Sequence, residues 1–316
     1  MTAIDAPVCE QPIVVLVGAT GVGKTRVAVE LCRALGGEIV GADSVQVYRE
    51  LDIGSNKPTH DELQGVAHHM LDLLAPFETI DAARYAALAD AAIAGVARRG
   101  AVPFVVGGTG LWVRALLRGL VALPSVDRAL RASLEREWRE LGPERMHARL
   151  RELDPRVAAR VHASDMVRVV RALEVQAQTG QRLGDLQAAH AGGEPRYRAL
   201  TVLIDVPIPH WLAAVEARTR AMLARGWAEE VRSLVERHGP EVKALRSVGY
   251  RQLVAAMREG RREVEVEPQI IRATRLYAKR QRNWFRNDPD VGLRLRSDEA
   301  LGPALLSHIA RHVSAR

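Results

Sequence analysis

Short apolar runs alternate with stretches of helical periodicity through the first 117 residues. Residues 12–17 are apolar and rich in β-branched side chains, then give way to glycines, which predicts a buried strand ending in a loop. Residues 26–35 have helical character and stop at Gly36-Gly37, where glycine suits a helix C-terminus. A second strand is predicted over residues 38–42, ending at Asp43. An alanine-rich helix over 79–99 is closed by Gly100, and a third strand over 102–106 enters the turn Gly107-Gly108-Thr109-Gly110. Residues 111–117 read as helix again. Strands alternating with helices predict an α/β fold, a parallel sheet with helices on both faces.

The texture changes after about residue 117. From 127 to 179 every pattern is helical, dense in arginine and glutamate and broken at Gly142-Pro143 and Asp154-Pro155. Gly180 closes the last of these helices, and Gly192-Gly193 precedes a return to sheet-like sequence. Residues 200–206 form another apolar strand, and helices are predicted over 209–225, 227–237, 250–259 and 267–286. The expected organisation is an α/β core of residues 1–117 and 196–316, interrupted by an all-helical insertion of residues 118–195.

Composition narrows the function. The 316 residues are 47% hydrophobic and 26% charged, as in a soluble globular protein, and no apolar run approaches the ~20 residues of a membrane span. Residues 1–11 carry Asp5 and Glu10 and lack a signal-peptide pattern, so a cytoplasmic location is expected. The formal charge of +7 suggests a polyanionic partner, and with 4% aromatic residues a nucleic-acid surface would rest on charge more than stacking. Cys9 and Cys32 fit no metal or redox spacing, and Cys32 reads as a core residue.

Gly18-Ala19-Thr20-Gly21-Val22-Gly23-Lys24-Thr25 matches the phosphate-binding loop G-x-x-x-x-G-K-[ST] in the strand-to-helix context that the motif requires. Lysine occurs only at positions 24, 57, 243 and 279, which makes a chance match less expected. The glycines let successive N–H groups converge on phosphate oxygens, and the helix N-terminus adds its dipole. Lys24 supplies a point charge and Thr25 a hydroxyl for Mg²⁺. A phosphoanhydride ligand follows, but not a reaction. A nucleotide hydrolase or kinase usually adds a strand-end acid for the metal. Asp205 and Asp43 both have that position, and Asp205 also reads as a turn former.

The sequence Asp43-Ser44-Val45-Gln46-Val47-Tyr48, followed by Leu51-Asp52-Ile53-Gly54-Ser55-Asn56-Lys57-Pro58, resembles a signature of the tRNA dimethylallyltransferases (tRNA isopentenyltransferases). Further matches follow in order: His68-His69-Met70-Leu71-Asp72, Gly107-Gly108-Thr109-Gly110-Leu111-Trp112, Arg168 to Val175, Ser247-Val248-Gly249-Tyr250-Arg251-Gln252, and Thr274-Arg275 through Gln281. The resemblance spans roughly residues 12–286, is to the bacterial type, and implies a P-loop NTPase-like core. Trp112 stands where many relatives have tyrosine and Ser55 where many have threonine.

The resemblance implies transfer of a dimethylallyl group from dimethylallyl diphosphate to N6 of the adenosine 3′-adjacent to the anticodon, in tRNAs reading codons that begin with U. Mg²⁺ is the implied cofactor, with Thr25 as its ligand, and the phosphate loop would hold the departing diphosphate. Asp43 is the implied base for the adenine amine, and Thr109 the residue near the bridging oxygen. Arg218 would reach the diphosphate, although its neighbour Arg220 could serve as well. Asp43, Ser44, Val45, Gln46 and Thr109 would surround the target base, which must leave its stack to enter. Contacts to the rest of the anticodon stem-loop are expected from Arg131, Val167, Arg168, Val169, Val170, Arg171, Arg246, Ser247, Val248, Gly249, Tyr250 and Arg251. The helix face with Arg272, Arg275, Lys279, Arg282 and Arg286 has almost no compensating acid in its own sequence and is expected to join them. A monomer is expected. The competing readings are an adenylate isopentenyltransferase, a small-molecule P-loop kinase and an RNA-binding regulator.

Overall fold

A computed structural model describes residues 11–191, 194–296 and 302–314. Cys9, Gly192-Gly193 and the first ten residues, on which several sequence expectations fall, lie outside the described residues. The strands are β1 (Ile13–Val17), β2 (Gly37–Ala42), β3 (His68–His69), β4 (Val102–Gly107), β5 (Ala199–Asp205) and β6 (Val291–Arg296). The helices in chain order are α1 (Lys24–Leu35), α2 (His60–Leu63), α3 (Ala82–Arg98), α4 (Gly110–Arg118), α5 (Arg128–Leu141), α6 (Pro143–Leu153) and α7 (Pro155–Ala158). There follow α8 (Met166–Thr179), α9 (Leu183–Ala191), α10 (Ile208–Ala224), α11 (Trp227–His238), α12 (Tyr250–Arg258), α13 (Glu263–Arg286) and α14 (Pro303–Ser314).

The six strands form one parallel sheet in the order β3-β2-β4-β1-β5-β6. The central strand β1 is fully buried along its length, which explains why it reads as a continuous apolar run instead of an alternating one. The phosphate loop, Asp43, Gly107 and Asp205 all follow or end strands at the carboxyl edge, where open parallel sheets bind their ligands. The expected P-loop NTPase-like α/β architecture is thus the observed one.

Two strands were not expected. β3 is only two residues long, inside the His68–Asp72 motif, too short to leave a periodic signal. β6 alternates half-buried and exposed positions as an edge strand against β5. The last long helix begins four residues earlier than its pattern suggests, at Glu263, and tolerates Pro268 within its early turns.

The chain divides into two compact units. One spans Arg118–Pro195; the other comprises the described residues up to Leu117 and from Arg196 onwards. The first packs α5–α9 around Leu134, Met146, Leu150, Val169, Leu173 and Val175. Within it Glu174 is fully buried and accepts hydrogen bonds from Asp127 N (3.1 Å), Arg131 Nη2 (2.5 Å) and Arg171 Nη1 (2.9 Å). In the second, Leu16, Val27, Leu31, Phe104, Val202, Ile204 and Trp211 make the core between sheet and helices. Cys32 belongs to that core, and burial with the nearby Glu38 charge pushes its thiol up to about 12, which disfavours the reactive thiolate.

Candidate active site at the carboxyl edge of the sheet

The phosphate loop is built by two glycines with positive φ, Gly21 at 85° and Gly23 at 83°. It is also held from outside at Thr20. The Thr20 carbonyl accepts the Trp211 indole N–H at 2.9 Å. Its amide donates to Gln281 Oε1 at 2.9 Å, and its hydroxyl accepts from Arg218 Nη2. Gln281 Nε2 donates in turn to Gly108 O at 2.8 Å and to the Tyr277 hydroxyl at 3.0 Å. One amide side chain from α13 therefore ties the loop after β1 to the turn after β4.

A cavity of about 230 Å³ opens beside the loop. Lys24, Asp43, Arg218 and Arg246 give it charge, Thr20, Ser44, Ser55, Ser247 and Thr274 give it hydroxyls, and Val45, Met222, Trp227, Val248 and Tyr277 give it apolar wall. Lys24 Nζ donates to Ala19 O at 2.9 Å. Burial holds its ammonium down to about 8, opposed by the Asp43 carboxylate and reinforced by Arg218. Burial likewise lowers the Arg218 guanidinium from its ordinary value, and Asp43 works against that shift. A buried cationic pair beside one carboxylate is a site short of negative charge, which suits an anionic ligand.

Asp43 directly follows β2, and its Oδ1 accepts the amides of Val45 (2.9 Å) and Gln46 (3.3 Å). That leaves Oδ2 without a protein partner among the described residues. Thr109 does not line the cavity itself. Its hydroxyl accepts the Ser44 amide at 3.1 Å and donates to Ser44 Oγ at 3.4 Å, so it stands one hydrogen bond behind the wall. Thr25 lines a small neighbouring space of about 30 Å³ together with Asp43 and Gln46. A hydroxyl, a carboxylate and an amide oxygen suit a hard cation that keeps waters and takes phosphate oxygens. No cluster of three metal-binding His, Cys, Asp or Glu side chains occurs among the described residues.

Several expected site residues stand elsewhere. Tyr250 is fully buried and donates its hydroxyl to Glu230 at 2.7 Å, so its side chain faces the interior. Val169 and Val170 belong to the core of the helical unit, and Arg131 and Arg171 are engaged with Glu174. Val167 and Arg168 remain on the surface of that unit. Gln46 spends its amide N–H groups on Ser55 O (3.1 Å) and Asn56 O (3.0 Å), so only its acceptor is left for a base edge. Arg220 is exposed and paired with Glu216 and Glu267 away from the cavity, whereas Arg218 lines it.

The basic face of α13 is less bare than its sequence implies. Arg282 makes a two-pronged pair with Asp205 (2.8 and 3.0 Å), and Arg275 pairs with Glu216. Arg272 and Lys279 stay exposed. Asp205 thus holds the Val206 amide (3.0 Å), as a turn former does, and is also occupied on both oxygens by Arg282. The sequence reading missed Thr274, Tyr277 and Gln281 as cavity residues, although their spacing puts them on one face of α13.

A family model described as IPP transferase matches residues 46–288. The tRNA dimethylallyltransferase of Anaeromyxobacter sp. (strain K) is 49% identical over 282 residues, covering 88% of this chain and 91% of that protein. The corresponding protein of Symbiobacterium thermophilum is 45% identical over 278 residues, covering 88% and 87%. Among solved structures, a tRNA isopentenylpyrophosphate transferase from Bacillus halodurans superposes with a TM-score of 0.70 at 30% identity, covering 96% of this chain and 97% of that one. A eukaryotic dimethylallyltransferase acting on tRNA has the same fold, with a TM-score of 0.77 at 24% identity over 96% of this chain and 78% of that one.

Proposed function

The chain belongs to the IPP transferase family, and from that premise we propose that it transfers a dimethylallyl group from dimethylallyl diphosphate to N6 of the adenosine 3′-adjacent to the anticodon. Its substrates are tRNAs that read codons beginning with U. The observation that carries this reading is the fate of the two strand-end acids. Asp205 is bound on both oxygens by Arg282, while Asp43 presents Oδ2 beside Lys24 and Arg218 in the same cavity. A kinase or hydrolase would use the strand-end acid on a metal; in this reading Asp43 takes a proton instead, supported by its free Oδ2 beside Lys24 and Arg218.

The chemistry follows from these residues. The loop amides, Lys24 and Arg218 grip the diphosphate and stabilise its charge as the bond from the allylic carbon to oxygen breaks. A divalent cation, Mg²⁺ in this reading, would be held by Thr25 and phosphate oxygens and would neutralise part of that charge. The new bond forms between the allylic carbon and adenine N6, whose proton passes to Asp43 Oδ2. An exocyclic amine is a poor nucleophile, so a positioned carboxylate both orients it and keeps it neutral as the bond forms. Thr109 accepts the Ser44 amide and so fixes the turn that carries Ser44; contact with the bridging oxygen is the role that the family resemblance gives it. The accessible cations Arg168, Arg246, Arg251, Arg272 and Lys279 are proposed to contact the anticodon stem-loop, with the helical unit contributing through Val167 and Arg168.

Among the described residues no helix is long and apolar enough to cross a membrane. The protein is proposed to work in the cytoplasm, as a monomer. Diphosphate release tests the reaction: it should require tRNA and match the tRNA modified one for one. Release of a single phosphate from ATP, with transfer to a metabolite, would favour the kinase reading instead.

A further inference from the structure

The first turn of α11 touches two loops that contribute to the cavity lining, residues 52–56 and 246–250. Glu230 Oε2 accepts the amides of Asp52 (2.8 Å) and Ile53 (2.6 Å), and Oε1 accepts the amide of Gly54 (3.1 Å) and the Tyr250 hydroxyl (2.7 Å). Three successive backbone amides on one anion make a nest, here filled by the protein's own carboxylate. One turn earlier, Trp227 is 2% exposed and wedged between two glycines. A Cβ on Gly54 would stand 1.8 Å from its Nε1, and one on Gly249 would stand 1.9 Å from its ring carbon Cη2. The indole also meets the Tyr250 ring edge-on at 5.4 Å.

Both clasped loops continue directly into the cavity wall. From Gly54 the chain runs to Ser55, which lines the cavity, and to the Ser55 and Asn56 carbonyls that hold Gln46, three residues after Asp43. On the other side, Tyr250 and Gly249 follow Arg246, Ser247 and Val248, all of which line it. Neither Glu230 nor Tyr250 bonds to the phosphate loop, which is held separately by Trp211, Arg218 and Gln281.

We propose that Glu230 is a positioning residue that fixes the separation of the 52–56 and 246–250 loops, and with it the width of the slot that receives the acceptor nucleoside. The inference rests on the reading of the cavity as a prenyl-transfer site and adds which residue sets its acceptor side. Its charge matters because every partner is a donor: an amide in its place turns one of two acceptor atoms into a donor facing N–H groups. The donor end of the site is tied to other residues and should not feel the change.

Steady-state kinetics with tRNA and dimethylallyl diphosphate test this in Glu230→Gln and Tyr250→Phe, beside the unaltered protein. Glu230→Gln should raise KM for tRNA about ten- to a hundredfold, the loss of a charge-assisted hydrogen bond, while KM for the diphosphate moves less than about twofold. Tyr250→Phe removes one of the four bonds and should shift the same constant in the same direction by less. Unchanged constants, or equal rises for both substrates, would overturn the assignment. Should Glu230→Gln fail to fold, the same split in Tyr250→Phe decides. If the unaltered protein prenylates no tRNA, the reading of the reaction falls; if it does and neither variant shows the split, only the role of Glu230 falls.

Discussion

Gln281 on α13 accepts the amide hydrogen of Thr20 at 2.9 Å, so a residue 261 positions away in sequence sets the shape of the phosphate loop. It is 7% exposed and also donates to Gly108 O, so both of its polar ends act inside the fold. Gln281→Leu would leave a buried donor and a buried acceptor unpaired, at about 1–3 kcal/mol each. The thermal midpoint should fall and KM for the prenyl diphosphate should rise at least about tenfold, since the loop amides lose their aim. A variant with unchanged donor KM would show that the loop keeps its form without this strut.

Lys24 predicts a pH dependence. Burial holds its folded value down to about 8, so the charged form is present below that pH and is lost as the pH rises through it. A bound diphosphate opposes the loss and pulls a proton back. Donor KM should therefore climb above about pH 8, and calorimetry in two buffers of different ionisation heat should show proton uptake on binding there. Lys24→Met should weaken donor binding at every pH and flatten the profile; a flat profile in the unaltered protein would contradict the assignment.

Glu174 is the anchor of the helical unit, with Arg131 and Arg171 both bonded to Oε2. Removing one member of a buried, hydrogen-bonded charge group typically costs about 3–5 kcal/mol. Glu174→Ala should thus open this unit to proteolysis between α5 and α8, and the cleavage sites located by mass spectrometry check it.

The α13 face should split into two kinds of arginine. Arg282→Ala frees Asp205 inside the fold and should lower the melting temperature while leaving the salt dependence of tRNA binding intact. Arg272→Glu with Lys279→Glu should leave the melting temperature near its original value. The double change should also reduce the slope of log K against log salt by roughly one for each tRNA phosphate that the face no longer neutralises. Equal slopes before and after it would remove this face from the RNA interface.

Much of the frame was readable from the chain because parallel strands buried on both faces leave continuous apolar runs, and because Gly18–Thr25 needs its residues in a fixed order. Asp43 and Arg218 were placed by their motifs, and the cavity contains them both. Other features left no local trace. β3 is too short for periodicity, and the acids that neutralise Arg275 and Arg282 lie 59 and 77 residues away in sequence. Motif membership also did not separate contact from support. Tyr250 sits in a signature segment next to cavity residues, yet as the first residue of α12 it is wholly in the interior, bonded to Glu230.

The most direct measurement of the central claim is nucleoside mass spectrometry of unmodified tRNA incubated with the protein, dimethylallyl diphosphate and Mg²⁺. The account predicts one dimethylallyl adduct on the adenosine 3′ of the anticodon in tRNAs reading codons that begin with U, and none with ATP as donor. Asp43→Asn should slow that transfer roughly 10²–10⁴-fold with tRNA affinity retained. Unmodified adenosine in every tRNA, or an undiminished rate in Asp43→Asn, would contradict it.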